Sequence, residues 1–161
     1  MKTLYILLSL CITNSLFACS DNETQLIEKP ATVILHNTLN RDSMHLKITI
    51  GETILTASLI KSKTTDDFIK LLPLNLTMND LFGREKYGVL PKSILPDAKP
   101  SYHYEVGDMG YWSPSHDLAI YYKDNGETIP SPGIIIIGKI DSDIKAFSVP
   151  GSVKIKIERI D

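Results

Sequence analysis

His45-Leu46-Lys47-Ile48-Thr49-Ile50-Gly51-Glu52-Thr53-Ile54-Leu55-Thr56-Ala57-Ser58-Leu59 is the stretch on which the fold turns. Leu46, Ile48 and Ile50 are apolar at every second position, and so are Leu55, Ala57 and Leu59. A period of two places alternate side chains on opposite faces, so each run reads as a strand with one buried face. Gly51-Glu52 between them, with glycine first, suits a type II′ hairpin turn. The same alternation returns at Leu74, Leu76 and Met78, and at Val153, Ile155 and Ile157, where the intervening lysines predict a wet outer face. Met109 to Trp112 and Leu118 to Tyr122 read as strands on either side of Ser113-Pro114-Ser115-His116. Gly133 to Ile140 contains four consecutive isoleucines, the pattern of a strand buried on both faces.

Between these runs lies one helical signal. In Thr64 to Leu72, the residues Phe68, Leu71 and Leu72 form one apolar stripe. Thr64 with Asp67 resembles a capping box, and Pro73 ends the helix. Asn79 to Tyr87, with Gly83, reads as a turn region. Pro91, Pro96 and Pro100 make residues 91–101 an irregular connection, and Asn125-Gly126 marks a further turn. Seven or eight short strands and one short helix make a mainly β domain over residues 42–161. Closing the sheet into a small barrel would remove its exposed edges, and a sandwich is the alternative.

The 161 residues allow one core plus appendages. A net charge of −2 gives no sign of nucleic-acid binding, which usually shows as a basic patch or a high pI. Residues 1–18 read as a lipoprotein (type II) signal peptide. Met1-Lys2-Thr3 is the charged start, Leu4 to Ile12 the short apolar run, and Leu16-Phe17-Ala18-Cys19 resembles a lipobox. Cys19 is the expected site of lipid attachment, palmitate included, and residues 19–41 the anchor and tether. A plain secretory signal is the alternative. Thr32 to Leu35 could add an edge strand. Cys11 leaves with the signal, so the mature chain has no free thiol once Cys19 is acylated. Losing Lys2 leaves 16 basic residues against 19 acidic ones, so acyl chains and not surface charge would hold the protein on a membrane. Ser20-Asp21-Asn22-Glu23 resembles an outer-membrane or surface-export signal of Gram-negative lipoproteins, or is an ordinary polar tether. The expected place is the cell envelope, lipid-anchored at the outer membrane on its periplasmic or surface face.

Three stretches occur together and in order. They are Asp67-Phe68-Ile69-Lys70-Leu71-Leu72-Pro73-Leu74-Asn75-Leu76-Thr77-Met78-Asn79-Asp80-Leu81, then Glu85-Lys86-Tyr87-Gly88-Val89-Leu90-Pro91, then Gly107-Asp108-Met109-Gly110-Tyr111-Trp112-Ser113-Pro114 with Leu118-Ala119-Ile120-Tyr121-Tyr122. Together they resemble the bacterial and archaeal cyclophilin-like family, over about residues 44–160. The resemblance implies a closed cyclophilin-like β-barrel, and it carries no settled activity.

True cyclophilins use an arginine to support the twisted proline amide, with a glutamine, aromatics and a histidine around it. Here the only glutamine is Gln25, in the tether. Arg84, in Phe82-Gly83-Arg84, is the one arginine in a plausible loop, as a weak catalytic candidate or as a solvated turn residue. The four histidines are widely spaced and suggest no metal site, and no cofactor is expected. Ser115 and His116 are adjacent, which is poor geometry for a nucleophile and base, and His116 with Asp117 reads as a solvent-exposed loop pair. The candidate ligand-binding residues are Glu85, Lys86, Tyr87, Tyr111 and Trp112: a charged and aromatic rim at a barrel mouth. The plainer alternative is a Glu–Lys pair in a turn with Tyr87 packed on the loop. Tyr111 and Trp112 must face opposite ways, one into the core. Asp108 is expected to cap a turn. The function this composes is an envelope lipoprotein whose cyclophilin-like domain binds a peptide or small ligand without turning it over. The alternatives are a prolyl isomerase of reduced or altered activity, which needs Arg84 in a groove beside an aromatic, and a structural envelope component, which predicts no groove.

Overall fold

The computed structural model describes residues 44–160. The signal peptide, Cys19, the tether and the strand expected at Thr32 to Leu35 lie outside the described residues. Eight strands close into one antiparallel barrel. In chain order they are β1 (His45–Ile50), β2 (Thr53–Leu59), β3 (Leu74–Leu81), β4 (Glu85–Val89), β5 (Asp108–Trp112), β6 (Asp117–Tyr121), β7 (Ile135–Ile140) and β8 (Val153–Ile160). Helix α1 (Lys63–Ile69) joins β2 to β3, and a 3-10 turn (Ile144–Phe147) precedes β8. Around the barrel the order is β1-β2-β7-β5-β6-β4-β3-β8, so β1 pairs with β8 and no strand edge is left open.

The alternation read in the sequence fills the interior. Leu46, Ile48, Leu55, Ala57, Met78, Ile155 and Ile157 are buried there, joined by Met109, Tyr111, Leu118 and Ile120 from β5 and β6. Phe68 of α1 and Phe147 of the 3-10 turn pack into the same core. Gly51 has φ +57 at the β1–β2 turn while Glu52 does not enter the left-handed region, as a type II′ turn requires. Ile134 and Ile137 are both fully buried, on opposite faces, so the isoleucine run is covered on two sides.

Two sequence expectations change. The helix begins one residue earlier than Thr64, with Ser62 as its N-cap, because the extended Ser62 accepts a hydrogen bond from the Thr65 amide. Thr64 instead accepts from the Asp97 amide, and the helix ends at Ile69. The region expected as a turn from Asn79 to Tyr87 is a β-hairpin. Asn79, Asp80 and Leu81 pair with Tyr87, Lys86 and Glu85. Polar residues at the inward positions of this hairpin hid its period.

Candidate functional site

The second cluster of buried side chains lies on the outer face of the barrel, where β4, β6 and β5 run side by side. Register places Glu85 beside Tyr121, Tyr87 beside Ala119, and Trp112 beside Asp117. These six share the outward face, while Lys86, Leu118, Ile120 and Tyr111 point the other way. Gly110 sits opposite Ala119, leaving the centre of this face shallow. The connection after β6 folds back across it. Ile129 and Ile134 are buried there against Ala119 and Tyr121, with Tyr104 stacked on Tyr121 at 4.2 Å between ring centres. A Cβ on Gly110 would lie 2.4 Å from the Ile134 side chain, so glycine is what lets that residue seat on the sheet.

What remains between sheet and loop is a cavity of about 270 Å³. Its walls include Tyr87, Trp112, Ala119, Ile129, Pro130 and Ile134, with Phe82 at the rim. Into this largely apolar space come three charged side chains: Arg84, Glu85 and Asp117, which are 4%, 6% and 7% exposed. Among the described residues, the buried side-chain atoms lacking a hydrogen-bond partner are Arg84 Nε, Glu85 Oε2 and Asp117 Oδ1. All three belong to residues lining this one cavity. Each unmet group of this kind costs about 1–3 kcal/mol or more, so their concentration in one place is expensive unless something else satisfies them.

Local structure explains how they come together. Leu81 accepts a hydrogen bond from the Arg84 amide across Phe82 and Gly83, whose φ values are +54 and +61. Both central residues of this tight turn are left-handed, as in a type I′ hairpin. The Arg84 guanidinium then lies 5.4 Å from the ring centres of both Phe82 and Tyr104. Its Nε stands 3.4 Å from Glu85 Oε2, in ion-pair range but without a hydrogen bond, and its Nη1 stands 3.6 Å from Glu127. Burial holds the Glu85 carboxyl above its ordinary range, against the pull of Arg84 and with a further push from Asp117. Asp117 accepts a hydrogen bond from Ser115 through its other oxygen.

The structure brings Arg84, Glu85, Tyr87 and Trp112 into one cavity and sends Lys86 and Tyr111 elsewhere. Arg84 is no solvated turn residue, because the two rings and the loop after β6 cover it. Lys86 is fully buried. Its ammonium donates to Asp80 at 2.8 Å and to the carbonyls of Val149 and Gly151 at 2.6 and 2.7 Å. Three donors thus meet three acceptors, and Lys86 does not pair with Glu85. Tyr111 enters the barrel core, and its hydroxyl accepts from the Ile94 amide. Asp108 does cap a turn, accepting from the Glu105 amide. Asp117, expected in an exposed loop pair with His116, is instead buried at the start of β6. Its signal was the outward set Asp117, Ala119 and Tyr121 facing Gly110, where small residues leave a hollow beside a carboxylate.

A closed eight-stranded antiparallel barrel with a largely apolar hollow on its outer wall, into which three buried charges reach, is the class of protein that fold and site define. The sequence profile of the cyclophilin-like family matches residues 48–158, and the chain belongs to that family. The solution structure of a hypothetical protein from Archaeoglobus fulgidus is similar in fold, with a TM-score of 0.60 at 20% identity. That likeness covers 73% of this chain and 95% of the archaeal one. No curated protein matches the chain. No helix among the described residues is long and apolar enough to cross a membrane.

Proposed function

We propose that this protein is a lipid-anchored envelope protein whose cyclophilin-like barrel binds a peptide or small ligand in the outer-face cavity. One observation carries the binding part: three buried side-chain atoms without a hydrogen bond belong to charged residues that line a single, largely apolar hollow. A ligand that supplies hydrogen bonds there would remove the cost of leaving them unmet. The cavity, lined by both Tyr87 and Trp112, counts against a purely structural role. The anchor rests on the signal-like start and on Cys19. Trp112 is the chain's only tryptophan, so ligand occupancy reads directly in its fluorescence and in its indole N–H resonance. A fragment set added to the full chain should shift Trp112 and Tyr87 together. Signals that stay fixed throughout would sink the binding reading. For the anchor, a palmitate analogue should label the protein in cells, and Cys19→Ala should abolish the label.

A second reading, prolyl isomerisation, is favoured by one feature: Arg84 lines the cavity beside Phe82. Its neighbours Glu85 and Glu127 offset the positive field that would stabilise a twisted proline nitrogen, which favours binding over catalysis. Uncatalysed X-Pro exchange takes tens of seconds, so weak acceleration is measurable. The binding reading expects none. Acceleration lost in Arg84→Lys, a variant that keeps the charge but not the planar donors, would establish the isomerase.

A further inference from the structure

Glu85 Oε2 and Asp117 Oδ1 are hydrogen-bond acceptors, and Arg84 Nε is a donor. Arg84 Nε and Glu85 Oε2 face each other at 3.4 Å without a hydrogen bond, so a ligand that bonds to them parts that pair and offers donors to the two carboxylates and an acceptor to the guanidinium. Charge narrows it further. Two carboxylates and one guanidinium line the cavity, no lysine or histidine joins them, and Glu127 stands on the other side of Arg84. The hollow is thus negative overall: Arg84 is shared between Glu85 and Glu127, no ion pair among the described residues reaches Asp117, and a buried carboxylate in that position calls for a cation. At about 270 Å³ it lies just under the roughly 300–1,000 Å³ of pockets that take drug-sized ligands, which suits a small ligand or a single residue. The remaining lining, Trp112, Ile129, Pro130 and Ile134, suits an apolar or aromatic side chain.

We propose that the cavity recognises an α-amino carbonyl group: a free amino terminus and its first carbonyl, carried on an apolar or aromatic residue. The ammonium donates to Glu85 and Asp117, the carbonyl accepts from Arg84 Nε, and the side chain lies against Trp112 and Ile134. This rests on the binding reading above and names the chemistry it selects. A free carboxylate in place of the carbonyl would meet Glu85 and Asp117 with like charge and be rejected. The same head group occurs in small amino-acid amides and at peptide N-termini.

The test is titration of the full ¹⁵N-labelled chain, following the Trp112 indole N–H resonance, with phenylalaninamide, N-acetylphenylalaninamide, free phenylalanine, the tripeptide Phe-Ala-Ala, and the neutral probes indole and N-acetylprolinamide. Phenylalaninamide should bind at least about tenfold more tightly than its acetylated form, the size expected for a charge-assisted pair. Glu85→Gln and Asp117→Asn should each lose most of that preference. Should either variant fail to fold, the comparison of the two amides on the unmodified chain decides alone. Retained affinity for Phe-Ala-Ala assigns a peptide N-terminus, whereas binding of the amide alone assigns a small molecule. Equal binding of the acetylated or carboxylate form, or binding of the neutral probes only, overturns this inference and leaves the binding reading standing. If none of the six probes perturbs Trp112 at millimolar concentration, both fall.

Discussion

Phe82 is 70% exposed and holds a left-handed backbone that costs a bulky residue about 1 kcal/mol. Neither burial nor turn propensity accounts for phenylalanine there; its ring beside Arg84 at the cavity rim does. Phe82→Asn should therefore raise thermal stability, by about 1 kcal/mol, since asparagine tolerates this conformation in a type I′ turn. The same change should weaken ligand binding, and a melting curve paired with a Trp112 titration reads both. Glu85 carries a related tension. Its folded pKa is raised by burial, so its contribution favours the fold at low pH and is lost as pH rises through the raised value. Arg84 opposes that shift, while Asp117 adds to it, and the Tyr121 phenol beside the carboxylate opposes it more weakly. Glu85→Gln should be more stable than the parent at neutral pH, with the gap closing toward pH 4, near the ordinary glutamate range of about 4.3. Denaturant melts at several pH values test this; a gap that does not narrow would mean Glu85 is not the titrating group.

Hairpins and their fastenings set the next scale. The β3–β4 hairpin is tied to the segment before β8 through Lys86, which spans Asp80, Val149 and Gly151. Tyr122 also donates to Asp80 at 2.6 Å. These bonds hold the Asp80 carboxyl below its usual range, and burial, joined by the bond to Asp80, pushes the Tyr122 phenol up to about 12. Lys86→Met takes from Asp80 its only cation among the described residues, and the ammonium donor from two carbonyls, so a loss of roughly 3 kcal/mol is expected. Calorimetry should show it as a fall in Tm of about 10 °C. On β5, Gly110→Ala forces a methyl against Ile134 and should cost about 1–3 kcal/mol. Because Ile134 roofs the cavity, ligand affinity should drop with stability, whereas a purely local clash would leave affinity unchanged.

At the scale of the whole molecule, the closed barrel joins every strand to two others, including the chain-distant pair β1 and β8. No strand pair is an independent unit, so unfolding should be cooperative. Far-UV circular dichroism and Trp112 fluorescence should give coincident denaturant transitions. Non-coincident curves would show that the outer loop over the cavity opens separately from the barrel.

Alternation alone was enough to place β1, β2, β3 and β8, because a strand with one wet face writes its burial directly into its period. It also showed that Tyr111 and Trp112 face opposite ways. The β3–β4 hairpin was not legible. Its inward Lys86 is acceptable only because Asp80, Val149 and Gly151 arrive from elsewhere in the chain to bind it. The site divides the same way. Arg84, Glu85, Tyr87 and Trp112 could be picked out by residue type, yet nothing local tells that Lys86 and Tyr111 turn away or that Asp117 joins them. Closure decided this. Register across β4, β6 and β5, and a loop lying over Gly110, bring the neighbours Arg84 and Glu85 together with the distant Asp117 in one hollow, and pairing between distant segments is a property of the folded chain.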